Sequence, residues 1–204
     1  MERYKEDTIK TYDQYSDQFD QKFEKHFYTF VQEKADAFIR ELPGKDIVDL
    51  GCGPGNHARY FKERGLNVLG VDLSPAMVER TRSKGIPAEI HDIENLDLGD
   101  RTFDGVWMYA SLLHVHRDRV SDVVSRVRAI LKPNGLLGLA VKEGVGMQLE
   151  SHPSYPGTHR LFTYFSDSEV RELFSPYFTL LHFGSTRVKD TYTFLHYLFK
   201  KKGK

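Results

Sequence analysis

The sequence predicts an α/β fold: a doubly wound, seven-stranded, mostly parallel sheet with an antiparallel C-terminal hairpin and a cap of N-terminal helices. Three observations predict it. From residue 46 onward, short apolar runs alternate with segments of helical periodicity, which is the pattern of a parallel sheet wound with helices. The first run, Ile47-Val48-Asp49-Leu50, breaks into glycines at alternate positions, Gly51, Gly53 and Gly55, before a helix begins. Near the C-terminus, two extended runs, 178–187 and 192–199, follow one another with a short connection at Val188-Lys189-Asp190, as in a hairpin.

Composition bounds the rest. At 204 residues, with 40% hydrophobic and 28% charged, the chain can bury a core of its own as one domain. Formal net charge is +0, so no global basic field points to nucleic acid or an anionic membrane. The single cysteine, Cys52, excludes an internal disulfide framework and a multi-cysteine zinc site. No apolar run approaches the ~20 residues of a membrane span. The start, Met1-Glu2-Arg3-Tyr4-Lys5-Glu6-Asp7, is polar and mixed in charge, unlike a signal peptide. These features predict a cytoplasmic protein, monomer or homodimer, with no membrane partner and none expected among nucleic acids.

Taken in order, residues 2–41 read as two helices with a break near Ser16–Asp20. Tyr4, Ile9, Tyr12, Tyr15 and Phe19 form one stripe; Phe23, Phe27, Phe30, Val31, Ala35, Phe38 and Ile39 form another. Pro43-Gly44 ends this cap (residues 1–44) and leads into the core (45–142). Strands are expected at 47–50, 68–71, 88–91, 103–108 and 136–141. Helices are expected at 57–64, 75–83 and 120–131. Pro75 sits near a helix start, with Ser74 or Asp72 as cap. Val120, Val123, Val124, Val127, Ile130 and Leu131 share one face, and Pro133-Asn134-Gly135 forms a turn. Residues 143–160 carry glycines, prolines and histidines without periodicity. They read as a long substrate-side loop, reaching to 165, of the kind that is functional in a compact domain. A helix follows at 167–174, capped by Ser166 or Asp167, and the hairpin closes the chain (166–204). The Lys200-Lys201-Lys202-Gly203-Lys204 tail reads as a solvated end.

The glycine stretch is the ligand-binding device. Glycines allow a tight turn and close approach to main chain, and a helix N-terminus adds unpaired N–H groups. A dinucleotide site would carry G-x-G-x-x-G; here the spacing is G-x-G-x-G, with Asp49 two residues ahead. Asp72 ends the second strand and Asp92 the third, each at the carboxyl end where open parallel sheets bind ligands.

Val48-Asp49-Leu50-Gly51-Cys52-Gly53-Pro54-Gly55 resembles the first motif of class I S-adenosylmethionine-dependent methyltransferases. Asp72, Asp92, Phe103-Asp104-Gly105-Val106-Trp107 and Leu131-Lys132-Pro133-Asn134-Gly135 extend that resemblance over 45–142. The resemblance implies S-adenosylmethionine as cofactor. Gly51, Gly53 and Gly55, then Asn56, would pass under its methionine part, with Asp49 orienting the amino group. Asp72 with Leu73 would hold the ribose, Asp92 and Ile93 the adenine, with Met77 nearby. Met108, Tyr109 and Ala110 would lie along the cofactor near the sulfur, and Tyr12 and Tyr15 of the cap would close over it. It also implies that the hairpin lies at the sheet edge, with the last strand antiparallel to the rest.

The acceptor is expected to be a small molecule. His114, after the fourth strand, is a candidate general base, or a capping or packing histidine. Lys142, Arg160 and Tyr164 would line an anion pocket, or the two cations would pair with Glu143, Glu150 or Asp167 and pin the loop. His152 and His159 lack a metal-ligand spacing, so no metal is expected, and Cys52 reads as filler between glycines. Rival readings are an RNA or protein methyltransferase, an NAD-dependent oxidoreductase and a non-catalytic cofactor-binding protein.

Overall fold

The computed structural model describes residues 1–188 and 191–203. Among the described residues, seven strands form one sheet in the order β3-β2-β1-β4-β5-β9-β8. They are β1 (Asp46–Leu50), β2 (Asn67–Asp72), β3 (Ala88–Ile90), β4 (Phe103–Tyr109), β5 (Leu131–Lys142), β8 (Phe178–Val188) and β9 (Tyr192–Lys201). β1 to β5 run parallel and β9 is antiparallel to both β5 and β8. The hairpin therefore ends the sheet, with β9 inside and β8 at the edge. Lys189 and Asp190 of its connection, and Lys204 of the tail, lie outside the described residues.

The strand period of two divides the core into layers. Val48, Leu50, Val106, Met108, Leu137 and Leu139 face one layer, built with α6 (Val120–Ile130) and α7 (Asp167–Phe174). Ile47, Trp107, Tyr109 and Leu136 face the other, built with α3 (Gln32–Glu41) and α4 (Asn56–Glu63). All five apolar positions expected on α6 are buried, while Leu131 opens β5 instead. α5 (Pro75–Ser83) packs on β2 and β3, and Ser74 Oγ caps it by accepting from Met77 N at 3.2 Å. Between β4 and β5 the pairing jumps from Phe103–Leu131 to Gly105–Leu136. The expected 133–135 turn is the loop-out that produces this jump, with Asn134 at φ 62.

Two segments differ from the sequence reading. The N-terminal region forms three helices, with the break at Tyr15 rather than after it. These are α1 (Arg3–Gln14), α2 (Ser16–His26) and, after a π-helical turn at Phe27–Val31, α3. Phe27 and Val31, four residues apart and so on one face, both bury in the layer below. In addition, the 143–165 segment is not all loop. β6 (Met147–Glu150) and β7 (Arg160–Thr163) pair antiparallel as a separate two-stranded sheet, linked to β5 by a bridge from Glu143 to Phe165.

α1 docks on β7 through polar groups, not through its aromatic stripe. The helix buries Lys5, Thr8 and Thr11. Thr8 Oγ1 accepts from Leu161 N at 3.1 Å, and Thr11 Oγ1 donates to the His159 carbonyl at 3.0 Å. An edge strand offers unpaired backbone groups that must be satisfied when buried. Here hydroxyls satisfy them, and the helix turns its threonines inward.

Packing against the fourth strand leaves little slack. Gly138 pairs with Trp107, and a Cβ on Gly138 would lie 2.3 Å from the indole. Gly138→Ala is expected to destabilise the protein by ~1–3 kcal/mol through overpacking. The check is a lower urea midpoint at unchanged m value.

Candidate active site

The loop after β1 folds back onto β2. Gly51 N–H and Cys52 N–H both donate to the Val71 carbonyl, at 2.7 and 3.0 Å. Gly51 sits at φ 76, and a Cβ there would meet Ser111 Cβ at 2.3 Å. Gly53, at φ 54, donates its N–H to Asp72 Oδ2 at 2.8 Å, and a Cβ there would meet nothing nearer than the Phe23 ring at 3.8 Å. The result is a stretch of bare main chain along one wall of a cavity of about 600 Å³, a volume usual for small-molecule sites. Cys52 is buried against Thr81, and burial pushes its thiol pKa up, so it is filler and not a nucleophile.

Asp72 and Asp92 face this same cavity. Asp72 Oδ1 accepts from Ser74 N at 2.9 Å while Oδ2 holds Gly53 N. Each carboxylate oxygen accepts two hydrogen bonds, so one position on each stays open to a ligand. Burial raises the Asp72 pKa against the lowering effect of those backbone N–H groups. Asp92 Oδ1 accepts from Glu94 N at 2.9 Å, and Oδ2 from Lys5 Nζ at 2.8 Å and Asn95 Nδ2 at 3.0 Å. One position, on Oδ1, remains. Burial would raise the Asp92 pKa, but the hydrogen bonds, led by that from Lys5, outweigh it, and the net shift is downward.

Leu73, Met77, Ile93, Tyr109 and Ala110 also line the cavity, as does Asn56. Asn56 is committed to structure: Nδ2 donates to the Asp20 carbonyl at 3.1 Å and Oδ1 accepts from Lys84 Nζ at 2.6 Å. Ala110 holds φ 62, a conformation uncommon outside glycine, where β4 leaves the sheet.

Four expected residues are not in the wall. Gly55, at φ 82, caps α4 and packs against Thr81, where a Cβ would lie 2.8 Å from Oγ1. Met108 points into the opposite layer, because strand side chains alternate and its neighbours Trp107 and Tyr109 face the cavity side. Tyr15 turns outward, donating its hydroxyl to the Pro156 carbonyl at 3.0 Å. Asp49 lies behind the loop, 1% exposed. Its Oδ2 has no hydrogen-bond partner, and burial, with Asp72 adding repulsion, raises its pKa to about 8.

At the other end of the cavity stand Tyr12, His114, Lys142, Arg160 and Tyr164. His114 Nδ1 lies 2.6 Å from the Leu161 carbonyl, which can only accept, so Nδ1 carries the hydrogen. Nε2, 2.7 Å from the Tyr12 hydroxyl, is then the acceptor. Burial, with Arg160 adding repulsion, lowers the His114 pKa to about 3. Both ring nitrogens are occupied and the ring is neutral, so the geometry fits a positioning histidine and speaks against a base. Lys142 pairs with Glu150 at 3.7 Å, one of the two arrangements expected for it. Arg160 makes no ion pair among the described residues; its guanidinium hydrogen-bonds the Tyr12 hydroxyl at 3.4 Å.

Sequence reasoning did not single out Lys5, Phe23, His26, Ser111, Glu150 or Tyr192 as cavity residues. Lys5 is 6% exposed and pairs with both Asp92 and Glu94 at 2.8 Å. A lysine in the first helical turn of a mixed-charge terminus carries no signal of burial. Phe23 belonged to a stripe that reads equally as packing.

Residues 47–135 match the model of a methyltransferase domain family. Relatives agree. Malonyl-[acyl-carrier protein] O-methyltransferase of Enterobacter lignolyticus is 34% identical over 113 residues, 52% of this chain and 43% of its own. An S-adenosylmethionine-dependent methyltransferase of Methanosarcina mazei superposes with a TM-score of 0.72 at 18% identity, over 81% of this chain and 96% of its own. Over its core, this chain is similar to methyltransferase domains, S-adenosylmethionine-dependent ones among them. A third likeness, 1,6-didemethyltoxoflavin-N1-methyltransferase of Burkholderia thailandensis, was solved with S-adenosylhomocysteine and covers 91% of this chain and 90% of its own (TM-score 0.63, 24% identity). The chain spans about half the length of the curated relatives it matches. No helix among the described residues is long and apolar enough to cross a membrane.

The methyltransferase match covers the glycine loop and the acids, but neither the cap nor β6 and β7, where most of the far end of the cavity is built. The unpartnered Asp49 oxygen beside a bare glycine cradle fits a ligand with an amino group. Without one, Asp49 has a consequence for stability. Its pKa is raised in the folded state, so folding favours its protonated form. Its contribution is intact below the unfolded-state value of ~3.9 and is lost as pH rises through about 8. Ligand-free wild type should therefore lose stability relative to Asp49→Asn between those pH values, measured as paired denaturation midpoints.

Proposed function

We propose that the protein transfers a methyl group from S-adenosylmethionine to a small-molecule acceptor. One observation carries this reading: bare glycine main chain and the free positions of Asp72 and Asp92 share a single crevice that continues to a separate, aromatic-lined end. When bound, S-adenosylmethionine supplies a methyl group on a sulfonium, so the acceptor displaces a neutral thioether.

The chain's part is to bind, align and exclude water. Asp72, through its open positions, takes the ribose hydroxyls, with Leu73 beside it; Asp92 and Ile93 take the adenine, and Met77 packs nearby. Gly51 and Gly53 pass under the methionine part. Asp49, behind the loop, gives up its proton and supplies a negative charge when an ammonium group comes close. Tyr12 and Phe23 close the cap side. Orientation of this kind supplies up to ~7–11 kcal/mol of a barrier. His114 fixes the Tyr12 hydroxyl and takes up no proton near neutral pH. The acceptor therefore reacts in a protonation state it already holds, or passes its proton to water. The zero formal charge supports a small acceptor over RNA.

Equilibrium titration with S-adenosylhomocysteine tests the reading. Wild type should bind it, and Asp72→Ala should bind at least ~10-fold more weakly, a loss of ~1.4 kcal/mol. Tight NAD binding with no affinity for either adenosyl compound would reject it. A small-metabolite screen for released S-adenosylhomocysteine should then find an acceptor. With that acceptor, the pH profile of kcat/KM for His114→Gln should keep the wild-type shape from pH 6 to 8; loss of a titrating limb would restore His114 as the base.

A further inference from the structure

The acceptor end of the cavity carries a cation with no acid to match it. In the register of β6 and β7, Arg160 stands directly opposite Glu150. Directly opposed residues share a face, and an opposite-charge pair there is the ordinary outcome. It does not form. Glu150 is taken by Lys142 at 3.7 Å and by the Tyr164 hydroxyl, which donates to it. Arg160 instead turns toward the cap. Its guanidinium carbon lies 5.0–5.6 Å from the ring centres of Phe162, Tyr155, Phe19 and Tyr12.

Ring faces stabilise a cation without neutralising it. They also leave the in-plane N–H groups of the guanidinium, five in all, with one long hydrogen bond among them. Lys142 is 9% exposed and sits 3.5 Å from the centre of Phe162, so a second cation stands on the same wall. Its pKa is lowered by burial, with Arg160 contributing repulsion that outweighs no more than part of the pull of Glu150. Lys22, Lys142 and Arg160 thus line this part of the cavity against the carboxylates of Glu143 and Glu150, in a chain with no excess charge overall.

We propose that the methyl acceptor is a planar, anionic small molecule whose carboxylate is bound by the Arg160 guanidinium, with its ring held among Tyr12, Phe162 and Tyr192. The guanidinium fork matches a carboxylate in two parallel hydrogen bonds. The aromatic walls favour a flat body, which stacks or packs edge-on against them. Tyr12 ties this anchor to His114, because its hydroxyl touches both Arg160 and the imidazole. Arg160 is thus a specificity residue, and the proposal rests on the methyltransferase reading above.

The probes are benzoate and benzamide, which share a ring and differ in charge, titrated into protein saturated with S-adenosylhomocysteine. Wild type should bind benzoate at least tenfold more tightly than benzamide. In Arg160→Met the preference should fall to about one, with S-adenosylhomocysteine affinity within twofold of wild type, which also shows that the variant is folded. Arg160→Lys should keep part of the preference. Equal binding of the two probes to wild type, or no binding of benzoate, overturns the proposal. So does an Arg160→Met variant that loses cofactor-product affinity yet keeps the preference, since the guanidinium would then serve the cofactor's own carboxylate. Failure of wild type to bind S-adenosylhomocysteine is read in the first titration and removes the methyltransferase reading, and the proposal with it.

Discussion

One carbonyl oxygen, that of Val71, organises the binding end of this molecule. It takes the N–H groups of both Gly51 and Cys52, and so folds the end of the first strand over the end of the second. That fold-back needs a left-handed residue at 51 with no side chain, because Ser111 fills the space behind it. Ser111 is itself fixed by donating to the Leu50 carbonyl at 2.5 Å. The loop, the second strand and the exit of the fourth strand are therefore one rigid unit. Gly53 is left with its main chain facing outward and its N–H on Asp72. A ligand meets a surface that is already made, so little ordering cost falls on binding.

α1 is attached to this unit by charge and by hydroxyls. Lys5 reaches Asp92 and Glu94, and Tyr4 donates to Glu94 at 2.9 Å. Asp13 accepts from Ser74 at 2.5 Å, and Thr8 and Thr11 meet the backbone flanking β7. Buried polar contacts of this kind are worth little net when made and cost a great deal when half-made. They specify where the helix sits. The consequence for function is that α1 touches both ends of the cavity: Lys5 at the expected adenine position and Tyr12 at the acceptor end.

Much of the site was legible in the sequence, for a local reason. The glycine spacing, and the acids that end β2 and follow β3, act through backbone positions that a strand–loop–helix pattern fixes by itself. Asp72 and Asp92 therefore share a crevice as expected. Met108 was misplaced by one residue, which in a strand means the opposite face. Tyr15 was misplaced because a helix stripe does not say which neighbour it meets. His114 was located correctly, but its role depends on the Leu161 carbonyl and the Tyr12 hydroxyl, 47 and 102 residues away in the chain. Burial and those partners make it a weakly basic, fully engaged ring.

The sequence by itself determined the class of fold and the strand ends that line the crevice, because periodicity, glycine and proline carry that information within a few residues of where it is used. The cofactor was implied by the family resemblance of the motif at 48–55. The tertiary structure alone decided which charges are paired. Glu150 and Arg160 are ten residues apart and opposite in the ladder, yet Lys142 takes the acid and leaves the guanidinium among aromatic rings. That outcome depends on three strands and a helix meeting at one point, where side-chain reach and burial, not spacing along the chain, choose the partner.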